Sequence, residues 1–173
     1  MFRYLRIRLF YRFLKPFSDS TRHARMRRFE HFLKPRWHPG LNILDLGGQP
    51  EIWENVAQPL DVTLLNLPGV FQKATSDRHR LTFVEGDGCD VRQFGDREFD
   101  IVFSNSVIEH VGDESRQEAF AREVQRLGRH WWVQTPSKFF PIEAHCGMPG
   151  WWFYPESCRA WFIERWRRKL PEW

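Results

Sequence analysis

Apolar positions along this chain come in two rhythms. Short runs rich in Ile, Leu, Val and Phe stand at residues 42–46, 61–67, 81–85 and 99–104, and a Trp-Trp-Val run stands at 130–134. Each is bounded by Gly, Pro, Asn or Asp, which predicts five strands. Between and around them the spacing turns helical. Met26, Phe29 and Leu33 share one face of a segment near 19–34, with Ser18-Asp19-Ser20 as its cap and Pro35 and Pro39-Gly40 beyond its end. Phe120, Val124 and Leu127 share a face of 113–127, with Gly128 as its stop. A Pro-, Gly- and aromatic-rich stretch, 136–155, leads into a last helix near 155–169. Strands that are apolar on both faces and alternate with helices predict βαβ units around a parallel sheet covered on two sides.

The first 36 residues are different in charge. They hold eleven Lys or Arg against two acids, whereas the remaining 137 hold fifteen against twenty. A basic helical arm, 1–36, is therefore expected ahead of a mildly acidic α/β domain, 37–173. Within the arm, Leu5, Leu9 and Phe13 recur at helical spacing beside Arg8 and Arg12. Such a helix either lies on an anionic membrane surface or packs its aromatics against protein. Arginines interrupt every apolar stretch here, which fits neither a secretory signal nor a membrane span. The three cysteines, Cys89, Cys146 and Cys158, form no C-x-x-C pair, and their odd number fits a reduced compartment. The expected location is cytoplasmic, with peripheral membrane contact through the arm. No nucleic-acid motif is present, and no nucleic-acid partner is expected.

In a doubly wound sheet, ligands bind outside the carboxyl ends of the strands. Polar or glycine residues stand at all five of these ends: Gly47-Gly48, Asn66, Glu85-Gly86-Asp87-Gly88, Ser104-Asn105-Ser106 and Gln134-Thr135. A turn or cap explains any one of them. Five facing one crevice are better explained by a binding site.

Four of these segments, in order, resemble a known family. Asp45-Leu46-Gly47-Gly48, Gly86-Asp87-Gly88, Phe99-Asp100-Ile101-Val102 and Ser106-Val107-Ile108-Glu109-His110-Val111 are similar to the class I S-adenosylmethionine-dependent methyltransferases, in particular the type 11 group. The resemblance spans about residues 41–136. It implies a Rossmann-like, doubly wound, mostly parallel sheet with strand order 3-2-1-4-5. It implies S-adenosylmethionine as cofactor and a small-molecule acceptor. Asp45, Gly47 and Gly48 would line the methionine end and Asn66 would meet the ribose. Asp87 would accept from the adenine amine, with Gly88 beside the ring. Asn105 and Ser106 would lie near the sulfonium, and His110 near cofactor or substrate.

The chain departs from the family pattern in three places. The glycine turn reads Gly47-Gly48-Gln49-Pro50 instead of G-x-G-x-G, and Asn66 stands where an acid is usual. The family adds two strands after strand five, and none is legible between 137 and 173. The chain is then either a minimal member or a piece of a longer one. The lack of G-x-G-x-x-G speaks against a nicotinamide cofactor.

Methyl transfer needs a positioned nucleophile and, for many acceptors, a base. His145, with Glu143 two residues before it, and His110 are the candidate catalytic residues, with Glu109 beside His110. His145 is otherwise a loop histidine bound to a backbone carbonyl, and His110 a structural tie. Trp151, Trp152, Phe153 and Tyr154 either wall an apolar substrate pocket or form a core or interface cluster. No metal-ligand spacing is present, and no metal is expected. Three functions remain open: a small-molecule methyltransferase, a methyltransferase-like binding domain with weak or no catalysis, and a nucleic-acid or membrane-surface protein led by the basic arm, of which the nucleic-acid part is disfavoured.

Overall fold

The structure, a computed structural model, describes residues 23–70, 74–135, 137 and 150–167. Five strands form one sheet in the order β3-β2-β1-β4-β5: β1 (Asn42–Leu46), β2 (Asp61–Asn66), β3 (Arg80–Glu85), β4 (Phe99–Asn105) and β5 (Gly128–Gln134). Every neighbouring pair is parallel. The sheet is therefore Rossmann-like, and all five carboxyl ends lie on one edge. In the register, Leu46 stands beside Leu65, Asn66 beside Glu85 and Asn105 beside Gln134.

Both faces of the central strands β2, β1 and β4 are covered, which is why these strands read as nearly unbroken apolar runs. On one face lies helix α1, residues 23–33, whose Met26, Phe29 and Leu33 are fully buried. They share a core with Ile43, Val62, Leu64, Ile101, Phe103 and Trp53. Phe29 is its hub, its ring centroid 4.9 Å from Phe103 and 5.8 Å from both Trp53 and Trp132. On the other face, α2 (Glu114–Leu127) sets Phe120, Val124 and Leu127 against Leu44, Leu46, Leu65 and Val102. The Asp113 side chain caps α2 by accepting from the Arg116 amide.

The boundary that charge suggests at residue 36 thus falls just behind a helix whose inner face is in the core. The outward face of that helix carries the charge, with Arg27, Arg28, His31 and Lys34 all exposed. Gly128 also differs from expectation. Its φ of −110° is extended, so no left-handed cap ends α2. The chain passes from helix straight into β5. A Cβ at residue 128 would approach the Val102 side chain to 2.8 Å and the His130 carbonyl to 2.6 Å, so close approach, not φ, calls for glycine.

Residues from Pro136 onward form a second compact unit. Its described part is a 3-10 turn (Trp151–Phe153) and helix α3 (Glu156–Arg167). Trp151 is buried and packs edge-on to Phe162, while Trp152 and Phe153 are exposed. Among the described residues, no strand follows β5. The expected helix over 2–15 and the cap at Ser18-Asp19-Ser20 fall outside the described residues.

If α1 is an integral layer, Phe29→Ala should cost about 3–5 kcal/mol, the usual penalty for emptying a packed aromatic site. Urea unfolding of the full chain measures it. A cost below about 1 kcal/mol would mean that α1 does not seal the sheet.

Candidate functional site

The site begins where β1 runs out. Gly47 has a φ of +76°, and a Cβ there would come within 2.7 Å of the Val107 methyls. A Cβ on Gly48 would fall onto the Asp45 carboxylate. Both glycines are thus fixed by space, and Gly47 by dihedral as well. The turn is pinned to β2 twice: the Gly47 amide donates to the Leu65 carbonyl at 2.8 Å, and Asn66 Nδ2 donates to the Gly48 carbonyl at 2.8 Å. Next comes a 3-10 segment, Pro50–Asn55, with Pro50 at its start and Ile52 and Trp53 buried.

Asp45 lies under this turn with no exposed surface. Trp53 Nε1 donates to Asp45 Oδ2 at 2.9 Å, and Oδ1 has no partner. Burial pushes the carboxyl up to about 7, against the opposing pull of the Trp53 bond. The residue expected at the cofactor's methionine end is therefore enclosed.

A cleft of about 300 Å³ opens at the carboxyl edge, lined by Gly47, Asn66, Asp87, Gly88, Ser106 and His110 among others. Gly88 lies against the Phe120 ring, which a Cβ would approach to 2.9 Å. Asp87 is strongly engaged. Arg116 from α2 grips both carboxylate oxygens, Nη2 lying 3.0 Å from Oδ1 and 2.8 Å from Oδ2, and the Cys89 amide donates to Oδ1 at 2.9 Å. Partial burial works to raise the acid, but the Cys89 amide and the guanidinium outweigh it, and the net shift is downward. Arg116 also lines the cleft.

After β4 the backbone turns at Ser106, whose φ of +60° is left-handed without being glycine. Its amide donates to the Gln134 carbonyl at 2.8 Å. Arg25 of α1 reaches the same turn, its Nη1 3.2 Å from Asn105 Oδ1 and 3.5 Å from Ser106 Oγ. Next comes a 3-10 turn, Ile108–His110. His110 is exposed at the cleft rim, and Glu109 turns toward β5, accepting from Thr135 Oγ1 at 3.0 Å while its Oε1 has no partner.

A family model described as a methyltransferase domain matches residues 51–130, a span that includes β2 to β4 and α2. The chain is thus similar to a methyltransferase domain over just under half of its length. Its strand order is that of the Rossmann-like class I fold. The search of solved structures returns methyltransferases. An S-adenosylmethionine-dependent methyltransferase of Methanococcus maripaludis is 14% identical, with a TM-score of 0.44 over 83% of this chain and 63% of that one. A chain of the complex between the Haloferax volcanii Trm112 methyltransferase activator and its methyltransferase is 19% identical, with a TM-score of 0.42 over 67% of this chain and 56% of that one. An arsenic(III) S-adenosylmethionine methyltransferase of Chlamydomonas reinhardtii is 21% identical, with a TM-score of 0.38 over 51% of this chain and 36% of that one. The present chain thus spans less than two thirds of each. No curated protein matches.

Of the residues singled out in the sequence, the cleft gathers Gly47, Asn66, Asp87, Gly88, Ser106 and His110 in its wall. Asp45 is buried beneath the turn, the second glycine forms the turn's lid over it, and Asn105 faces Arg25. His145 and Glu143 lie outside the described residues. Arg25 and Arg116 escaped sequence reading, because each acts across 29 or more positions of chain. The one local signal for Arg25 is a charge at the i−4 position of the buried Phe29.

The elevated Asp45 carboxyl makes a signed prediction. Its folded-state value of about 7 lies above the unfolded 3.8, so the folded protein holds this proton more tightly. The stabilisation is complete below pH 3.8 and is lost as pH rises to about 7. Wild type should therefore lose about 2–4 kcal/mol relative to Asp45→Asn between pH 4 and 7.5. Denaturant unfolding of both proteins across that range checks it, and parallel stability curves would contradict it.

Proposed function

We propose that the cleft binds S-adenosylmethionine and that the chain directs its methyl group to a small-molecule acceptor. One observation carries this reading: Gly47, Asn66, Asp87-Gly88, Ser106 and His110, drawn from four separate stretches of chain, border a single cleft at the sheet's carboxyl edge. The residues fit the cofactor. Gly47 and Gly88 line the cleft where a Cβ would be obstructed by Val107 and Phe120, so backbone is kept bare there. Asn66 has its amide committed to Gly48 and offers a carbonyl oxygen suited to a ribose hydroxyl. A carboxylate holds about four acceptor sites, so Asp87 can receive an amine beside its bonds to Arg116 and Cys89. Asp45 supports the turn from below.

The cofactor, when bound, supplies a methyl group on a sulfonium, which is intrinsically reactive. The chain's own part is to orient and to take up a proton. Asn105 and Ser106 sit where the reacting group would be held. His110, at the rim, and His145, with Glu143, are the candidate bases. A cytoplasmic setting with peripheral contact to anionic membrane through the basic N-terminal segment belongs to the same proposal. Among the described residues, no helix is long and apolar enough to cross a membrane. A second reading, a methyltransferase-like domain that binds without catalysis, is favoured by the bonds that already occupy Asn66 and Asp87.

Calorimetric titration with S-adenosylhomocysteine should show one saturable site. Asp87→Ala should weaken it by about 1–3 kcal/mol, the loss of a charged hydrogen-bond acceptor. No heat from a folded sample at millimolar ligand would overturn the proposal. If binding is present, methyl-labelled cofactor incubated with fractionated metabolites separates the two readings. Label transfer supports catalysis, and binding without transfer supports the silent domain.

A further inference from the structure

Helix α1 carries a charge where its pattern asks for an apolar side chain. Positions 25, 29 and 33 repeat at i, i+4 and i+8, and Phe29 and Leu33 are fully buried against the sheet. Arg25 begins that row. At this end of the helix, the inner face has passed beyond the apolar core and meets the carboxyl edge of the sheet. There Arg25 Nη1 donates to Asn105 Oδ1 at 3.2 Å and lies 3.5 Å from Ser106 Oγ. The turn it touches has a reason to need holding. A non-glycine residue at φ +60° is strained, and it persists only where its surroundings impose it. Two contacts are in place to do so: the Ser106 amide on the Gln134 carbonyl at 2.8 Å from the β5 side, and Arg25 from the α1 side.

We propose that Arg25 is a positioning residue of the methyl-transfer site, and that through it α1 fixes the turn after β4 in its binding-competent shape. Its partners explain why an arginine stands here. Asn105 Oδ1 and Ser106 Oγ both face one guanidinium nitrogen, Nη1, whose two N–H bonds can serve the two oxygens at once. The aliphatic stem meanwhile runs along a helix face that is otherwise apolar. Arg25 acts on the site through Asn105 and Ser106. The cationic N-terminal segment therefore has an inward function, separate from its exposed Arg27, Arg28, His31 and Lys34. The inference rests on the cleft being the cofactor site.

The test uses the full chain and two readouts. The first is amide hydrogen exchange at Ser106 without ligand, which does not depend on the cofactor reading. The second is the dissociation constant for S-adenosylhomocysteine. Arg25→Ala should speed Ser106 exchange and weaken binding about tenfold or more, the scale of one charge-assisted hydrogen bond. The melting temperature should stay close to wild type, because Phe29 and Leu33 still anchor the helix. Methylguanidine at low millimolar concentration should restore part of the affinity, which a merely structural defect would not allow. Arg28→Ala, on the outward face, should change neither readout. If Arg25→Ala unfolds, Arg25→Gln keeps part of the stem and one amide donor group, and it should show intermediate exchange and affinity. Wild-type exchange and affinity in either folded variant would overturn the proposal. Equal losses in Arg25→Ala and Arg28→Ala would overturn it too, since net charge would then be the cause. Failure of the wild type to bind S-adenosylhomocysteine would sink the cofactor reading alone, while Ser106 exchange would still judge the role of Arg25.

Discussion

The turn after β1 exists because nothing stands at the Cβ of residues 47 and 48. One absent methyl leaves room for the Val107 side chain and the other for the Asp45 carboxyl. That carboxyl is fully enclosed, held on one oxygen by Trp53 and bare on the other. An unpaired charge there would be costly, and the group responds by holding its proton toward neutrality. The rest of the cleft is arranged around this turn. β2 is tied to it through Leu65 and Asn66, and Val107, from the segment after β4, closes against Gly47. A side chain added at either glycine would disturb β1, β2 and the segment after β4 together.

Two cationic side chains complete the edge from opposite faces of the sheet. Arg116 comes from α2 and takes Asp87, while Arg25 comes from α1 and takes the Asn105-Ser106 turn. The apolar layers beneath them set the helices' rotation and depth, so the precision of the polar edge derives from the core. Phe29, Met26 and Leu33 do this for α1, and Phe120, Val124 and Leu127 for α2. Sequence, packing and site are linked at this point. An amphipathic stripe buries itself, and the residue at the end of the stripe is delivered to the strand termini.

The central strands were legible in the sequence because both of their faces are covered. Runs such as Phe99-Asp100-Ile101-Val102-Phe103 have no polar alternation to confuse with a helix, and observed bounds differ from expectation by two residues at most. Parallel order and the polar edge followed from the alternation with helices. Less was legible wherever the answer lay in a long-range side-chain contact. Asn66 reads as a weakened ribose ligand, but its amide is used to hold Gly48. Asp87 reads as a lone acceptor, and its guanidinium partner lies 29 residues on. Charge counting grouped residues 1–36 as one arm, since a net charge does not reveal that the basic residues of α1 face outward over a buried apolar face.

The central claim is that this edge, and no other surface, receives the cofactor. Backbone amide chemical shifts recorded with increasing S-adenosylhomocysteine test it residue by residue. The account predicts saturable changes concentrated at Gly47, Gly48, Gly86, Gly88 and Ser106, with Arg27, Arg28 and His31 on the outer face of α1 unmoved. Changes confined to that outer face, or no saturable change in a folded sample, would contradict it.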